Sequence, residues 1–151
     1  MSRIIAALDG SSHSSLVLEW AVDHAVPGDE VVAMLVWNLA AVSGLENPFG
    51  NLNEGRIHAV RTVNSIVEGV TRQRWANQES SVPVRIDVRH GDPASHLVDA
   101  SKNADLLVIG GYHQGLSSLG SVAKYVVPRA QCAVTLVPLP DRSSPSDPIR
   151  V

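Results

Sequence analysis

Asp105-Leu106-Leu107-Val108-Ile109-Gly110-Gly111-Tyr112-His113-Gln114-Gly115-Leu116-Ser117-Ser118-Leu119-Gly120-Ser121-Val122 is the stretch around which the rest of the chain organises itself. It opens as an apolar strand, Asp105 to Ile109. It leads into a helix-like segment, Val122-Ala123-Lys124-Tyr125-Val126-Val127, that continues to about Ala130. Between strand and helix lie four glycines and three serines. Glycine lets backbone N–H groups come close to an anion, serine hydroxyls donate to it, and a helix that follows turns its positive end toward it. Ordinary connecting loops use the same residue types, so the decision falls to the flanking chain.

Toward the N-terminus, Ile4-Ile5-Ala6-Ala7-Leu8 is a short continuous apolar run, as expected of a strand buried on both faces. It ends at Asp9-Gly10-Ser11-Ser12, where Ser11 or Ser12 is expected to cap a helix. That helix repeats Leu16, Trp20 and Val17, Ala21 at four-residue spacing, widened by Leu18, Val22 and Ala25, and Pro27-Gly28 stops it. Val31 to Trp37 is a second buried strand. Asn38 to Gly55, with Asn47-Pro48-Phe49-Gly50, reads as a loop. A long helix follows, with Ile57, Val60, Val63, Val67 and Val70 as its apolar face. Val82 to Arg89 alternates between apolar and other residues, as a half-exposed strand at a sheet edge would, where Pro83 is tolerated. Asp92-Pro93 starts a third helix, with Asp92 as N-cap, ending near Asn103. The fourth strand is Leu106 to Ile109. Ala133 to Val137 is the fifth. Residues 140–151, rich in Pro and Ser, read as a flexible tail to a single domain of residues 1–139.

Strands alternating with helices predict an α/β fold: an open five-stranded parallel sheet with helices on both faces. The edge position of the third strand favours the order 3-2-1-4-5. The first and fourth strands then flank the switch point, and ligands of such sheets bind in the crevice outside the carboxyl ends of the strands. One end carries Asp9, Gly10 and Ser11, the other Ile109, Gly110 and Gly111. Two loops of suitable chemistry thus converge, which favours the phosphate cradle over an ordinary loop.

Composition narrows the class. The chain has 151 residues, 44% hydrophobic and 18% charged, with a formal net charge of −3. That is globular, and the absence of a basic stripe argues against a nucleic-acid partner. Cys132 is the only cysteine, so no intrachain disulfide forms and a reducing cytoplasm suits the chain. No signal peptide and no membrane-spanning apolar run is read.

Taken together, Ile4 to Ser11, Gly91-Asp92-Pro93-Ala94, Ala104 to Gly110, Gly120-Ser121-Val122 and Cys132 to Val137 resemble, in order and spacing, the universal stress protein family over residues 3 to 139. The resemblance implies a Rossmann-like fold and a cytoplasmic stress-response regulator or sensor. It implies a homodimer, commonly paired through the last strand, Ala133 to Val137. That strand carries no charge to protect it as an edge. It further implies binding of ATP or another adenine nucleotide in the crevice between strands 1 and 4, with Mg2+ if ATP binds. No enzymatic activity beyond slow ATP hydrolysis is expected, and an unidentified regulatory protein is the remaining partner.

The family's ATP-binding signature is Gly, two residues, Gly, nine residues, Gly, then Ser or Thr. Gly110 matches the first glycine, Gly120 and Ser121 the last pair, and Val122 the residue after them. Asp9 matches the acidic residue at the nucleoside end, with Ala7 near it, and Val36 the second-strand residue against the adenine. The second glycine falls on His113, and the loop is three residues short. A histidine brings a Cβ and a ring where backbone meets phosphate. Each lost bond to a charged phosphate costs about 1.5–3 kcal/mol, so two weaken binding by roughly two to four powers of ten. Gly115, Ser117 and Ser118 remain as donors, and a protonated His113 offers a further contact to phosphate. Family members with an altered loop include some that do not bind ATP. The alternative is therefore a non-nucleotide-binding interaction module that uses its dimer edge and the Asn38 to Gly55 loop.

Other chemistries fit less well. Gly110 and Gly115 have P-loop spacing, but Leu116-Ser117 stands where Lys-Ser/Thr is required. The dinucleotide pattern of glycines is missing after strand 1. Ser11, His13 and Asp9 supply hydrolase residue types without a nucleophile elbow. The six histidines show no metal-ligand spacing. Cys132 reads as a buried, inert thiol. Trp20, Trp37 and Trp75 read as anchors, with Trp37 bordering the adenine pocket.

Overall fold

A computed structural model describes residues 2–38, 52–79, 82–113 and 120–139, with Tyr112 and His113 described in backbone only. The expectations for residues 39–51, Gly115, Ser117, Ser118 and the tail 140–151 lie outside these residues. The elements are β1 (Arg3–Leu8), α1 (Ser14–His24), β2 (Glu30–Trp37), α2 (Leu52–Ala76), β3 (Val84–His90), α3 (Pro93–Ser101), β4 (Leu106–His113), α4 (Ser121–Val126) and β5 (Ala133–Leu139). All neighbouring strands run parallel, in the order β3-β2-β1-β4-β5.

β1 is central because it has side chains fit for burial on both faces. Ile4, Ala6 and Leu8 point to one core layer with α1 and α2, and Ile5 points to the other with α3 and α4. Its start is pinned by polar contacts. The Arg3 amide donates to Asp105 Oδ2 at 2.7 Å, and the Arg3 guanidinium meets Glu30 at 2.9 Å. Among the described residues no helix is long and apolar enough to cross a membrane.

Several boundaries differ from the sequence expectation. β4 runs on through Gly110, Gly111 and Tyr112 to His113, paired with β5 as far as Leu139. The register shifts between Gly110 and Tyr112, a bulge that Gly111 makes possible at φ +143°. Glycines here extend and bend a strand instead of ending it. α2 begins at Leu52, not after Gly55. Its buried face is Gly55, Ala59, Val63 and Val70, whereas Ile57 is exposed. Gly55 is needed for close approach: a Cβ there would lie 2.5 Å from Trp37 Cζ3. α4 stops at Val126, short of Ala130. Leu16 also faces outward, while Val17, Leu18, Ala21 and Val22 carry the burial of α1.

Neither Ser11 nor Ser12 caps α1. His13 occupies the N-cap without a side-chain cap bond, and Ser14 inside the first turn takes over the polar role. Asp92 caps α3 as expected, accepting the Ser95 amide at 3.0 Å, with Pro93 at the first helical position.

Candidate functional site

The carboxyl ends of β1 and β4 part at the switch point, because β1 continues into α1 on one face and β4 into α4 on the other. A crevice of about 690 Å³ opens there. Its floor comes from the strand ends: Ala7 and Leu8 of β1, Val36 of β2, and Ile109, Gly110 and Gly111 of β4. One wall is the β1–α1 turn with Asp9, Ser11, His13, Ser14 and Val17. The opposite wall is Gly120, Ser121, Val122 and Ala123, with Pro93 and Leu97 of α3 alongside and Leu139 of β5 at the far end.

The β1–α1 turn is held by Ser14, which is 2% exposed. Its Oγ accepts the amides of Asp9 (3.2 Å) and Gly10 (3.1 Å) and donates to Asp9 Oδ1 (3.1 Å). Asp9 Oδ1 also accepts the Ser11 amide at 2.8 Å, and Ser11 Oγ accepts the His13 amide at 3.2 Å. Asp9 itself is exposed to the crevice. Crowding raises the affinity of its carboxyl for a proton, but the hydrogen bonds from Ser11 and Ser14 outweigh this and hold it below the usual carboxylate range. The carboxylate is therefore charged at neutral pH.

On the β4 side, the Gly120 amide donates to the Gly111 carbonyl at 3.1 Å. This bond closes the base of the segment between them and puts Ser121 at the start of α4. Gly110 sits where side chains converge. A Cβ on it would lie 2.9 Å from Val17 Cγ2 and 3.1 Å from Leu139 Cδ1.

Nine of the twelve residues expected at the site line this crevice: Ala7, Asp9, Ser11, Val36, Ile109, Gly110, Gly120, Ser121 and Val122. Gly10 does not; at φ +84° it makes the turn beneath the wall, with its amide held by Ser14. The backbone of His113 lies in β4 opposite Leu139, and Gly115 is outside the described residues. Sequence reasoning missed His13, Ser14, Val17, Pro93, Leu97 and Leu139. Ser14 was findable, as a serine five residues after the Asp at the strand end. Leu139 was not, because β5 had been expected to end at Val137.

Other candidates are displaced. Trp37 is 7% exposed, packs beneath α2 against Gly55 and His90, and lies away from the crevice on the opposite face from Val36. Trp75 is 82% exposed and anchors nothing. Cys132 is partly exposed instead of buried; desolvation and then the Asp105 charge raise its thiol, which keeps it protonated. Among the described residues no group of three or more His, Cys, Asp or Glu is placed to hold a metal ion.

Comparison with known proteins gives the following. The family model described as "Universal stress protein family" matches residues 1–138. Among curated proteins, none matches the chain. Several solved structures share the fold. A universal stress protein from Archaeoglobus fulgidus is 23% identical, with a TM-score of 0.62, over 90% of this chain and 93% of that one. A universal stress protein in complex with cAMP is 21% identical, TM-score 0.60, over 90% and 95%. A universal stress protein family protein from Arabidopsis thaliana with AMP bound is 17% identical, TM-score 0.59, over 98% and 99%.

Proposed function

The chain belongs to the universal stress protein family, and from that premise we propose that it binds an adenine nucleotide in the crevice between β1 and β4 and acts as a dimeric cytoplasmic regulator of a stress response. The observation that carries this reading is the convergence on one crevice of a charged Asp9 at one wall and Gly120-Ser121-Val122 at the other. The apolar end, made of Val36, Leu97 and Ile109, suits a purine face. Asp9 presents its carboxylate to a ribose hydroxyl or an exocyclic amine. Ser11 and Ser121 offer hydroxyls to a phosphate. Two folds of the same kind have cAMP and AMP in their crystals, which supports the ligand class.

ATP enters this site with Mg2+. Among the described lining residues Asp9 is the one carboxylate, too little for a dedicated metal cage, so the ion arrives on the phosphates. Turnover is at most slow. Among the described residues the lining has neither the Lys nor the Arg that phosphoryl transfer uses to stabilise developing charge. The dimer forms through the edge of β5, Ala133 to Val137, and its output goes to a regulatory protein.

Isothermal calorimetry of the whole chain against AMP tests the reading. Binding is expected, weakened about tenfold by Ser121→Ala, in line with one lost hydrogen bond to a charged group. An absence of heat with every adenine compound at millimolar concentration would leave the interaction-module alternative in its place.

A further inference from the structure

Ser14 borders the crevice but has no hydrogen bond left to give a ligand. It stands in the first turn of α1, five residues after Asp9, and is 2% exposed. A hydroxyl has one proton to donate and two lone pairs with which to accept. The Ser14 Oγ accepts the amides of Asp9 at 3.2 Å and Gly10 at 3.1 Å and donates to Asp9 Oδ1 at 3.1 Å, so all three places are filled. Any effect of this hydroxyl on a ligand therefore passes through the residue it holds, Asp9.

These bonds divide the two oxygens of the Asp9 carboxylate between different tasks. Oδ1 accepts twice, from Ser14 Oγ and from the Ser11 amide at 2.8 Å, which fills the lone pairs of that oxygen. With Oδ1 committed to the turn, Oδ2 is the oxygen that this exposed, crevice-lining residue has for an outside donor. The backbone under the carboxylate is fixed by the same serine, since the Asp9 and Gly10 amides converge on its Oγ. Turning the carboxylate away breaks the Ser14 and Ser11 bonds together. Its charge is held as well. Desolvation favours a proton on the carboxyl, and the bonds from Ser11 and then Ser14 outweigh it.

We propose that Ser14 is a positioning residue for ligand binding: it fixes Asp9 so that one carboxylate oxygen is committed to the turn and the other is presented to a donor group of the ligand. This rests on the adenine-nucleotide reading above and adds the residue that keeps its carboxylate in place. Ser14→Ala removes a donor from Oδ1 and leaves the Asp9 and Gly10 amides without their acceptor. The carboxylate is then free to turn, and fewer bonds oppose its desolvation.

The test is a double-mutant cycle on the full chain: parent, Ser14→Ala, Asp9→Ala and the double variant, each titrated with AMP at neutral pH. The phosphate end of AMP keeps binding measurable when Asp9 is gone. Ser14→Ala is expected to weaken binding about tenfold when Asp9 is present. In the Asp9→Ala background it should weaken binding by less than about twofold, because effects that pass through a shared partner do not add. Ser14→Cys, close in size but with a weakly hydrogen-bonding thiol, is expected to behave in the same way and replaces Ser14→Ala if that variant does not fold. Acid gives a second readout. As pH falls, Ser14→Ala should lose AMP at a higher pH than the parent does, since its Asp9 carboxyl takes up a proton sooner. The ligand is common to both proteins, so the offset belongs to the protein. Equal losses in the two backgrounds, or coincident acid profiles, overturn the proposal and leave the nucleotide reading standing. If no adenine compound binds the parent chain, the nucleotide reading falls and this proposal with it.

Discussion

Gly110 shows how one missing side chain shapes the site. Val17 from α1 and Leu139 from β5 both reach into the space its Cβ would fill. Neither neighbour can yield easily: Val17 is 3% exposed and β-branched. Gly110→Ala is therefore expected to cost about 1–3 kcal/mol through overpacking, seen as a melting temperature lower by roughly 2–12 °C. The same methyl intrudes into the crevice floor, so AMP affinity falls with it. An unchanged melting temperature would mean that Val17 and Leu139 repack freely. Ser14 is the other residue on which the site hinges. Its role is to hold the turn: it orients Asp9 and takes up two amides. The fold shows that this buried serine on α1 takes up the Asp9 and Gly10 amides.

Among the elements, α3 gives the clearest link between a short motif and a measurable property. Gly91-Asp92-Pro93 places a carboxylate over the first turn, where it accepts from both the amide and the hydroxyl of Ser95. Those bonds, from the Ser95 side chain and then its amide, hold the Asp92 carboxyl below its usual range. A group whose folded-state pKa is depressed stabilises the fold above its unfolded pKa, and that contribution is lost as pH falls through the folded value. Asp9 and Asp29 shift in the same direction. Thermal stability is accordingly expected to drop below about pH 4. Asp92→Asn keeps a good cap but cannot titrate, so its melting temperature should fall less steeply with acid than that of the parent chain. Equal slopes would assign the acid sensitivity to Asp9 and Asp29 alone. α2 carries a different lesson. Gly55 was read as part of a loop, yet it lies inside the helix because Trp37 leaves no room for a side chain. Local propensity marks glycine as a helix breaker, and a contact with an aromatic ring from β2 overrides it.

For the whole molecule, the two sheet edges differ in how they are protected. β3 alternates Arg85, Asp87 and Arg89 with apolar residues, and these charges guard an edge against pairing. β5 has Ala133, Val134, Thr135, Leu136 and Val137 with no charge. Thr135→Lys is thus expected to abolish the dimer proposed to form through this edge, read by sedimentation velocity or light scattering, while the melting profile of the fold persists. A parent chain that sediments as a monomer at all concentrations would rule out this edge as an interface. Leu139 extends β5 into the crevice wall, so the same experiment should be repeated with AMP present.

The sequence by itself determined the layers, the parallel sheet with its order, the edge position of β3, the cap of α3, and half of the crevice residues. It could do so because burial on both faces, alternation and capping are local chemical requirements that each strand or helix states in its own residues. What only the tertiary structure decided lies where residues distant in the chain compete for one space or one hydrogen bond. β4 extends to His113 because β5 offers it a partner. Gly55 stands inside a helix where Trp37 leaves no room for a side chain. Trp37 lies under α2 and not against the crevice because it faces away from Val36. The Asp9, Gly10 and Gly120 amides are internally satisfied because Ser14 and Gly111 reach them first. A glycine or serine states in sequence that it has a donor to offer. Whether that donor still points outward is settled only when every buried polar group has found its partner.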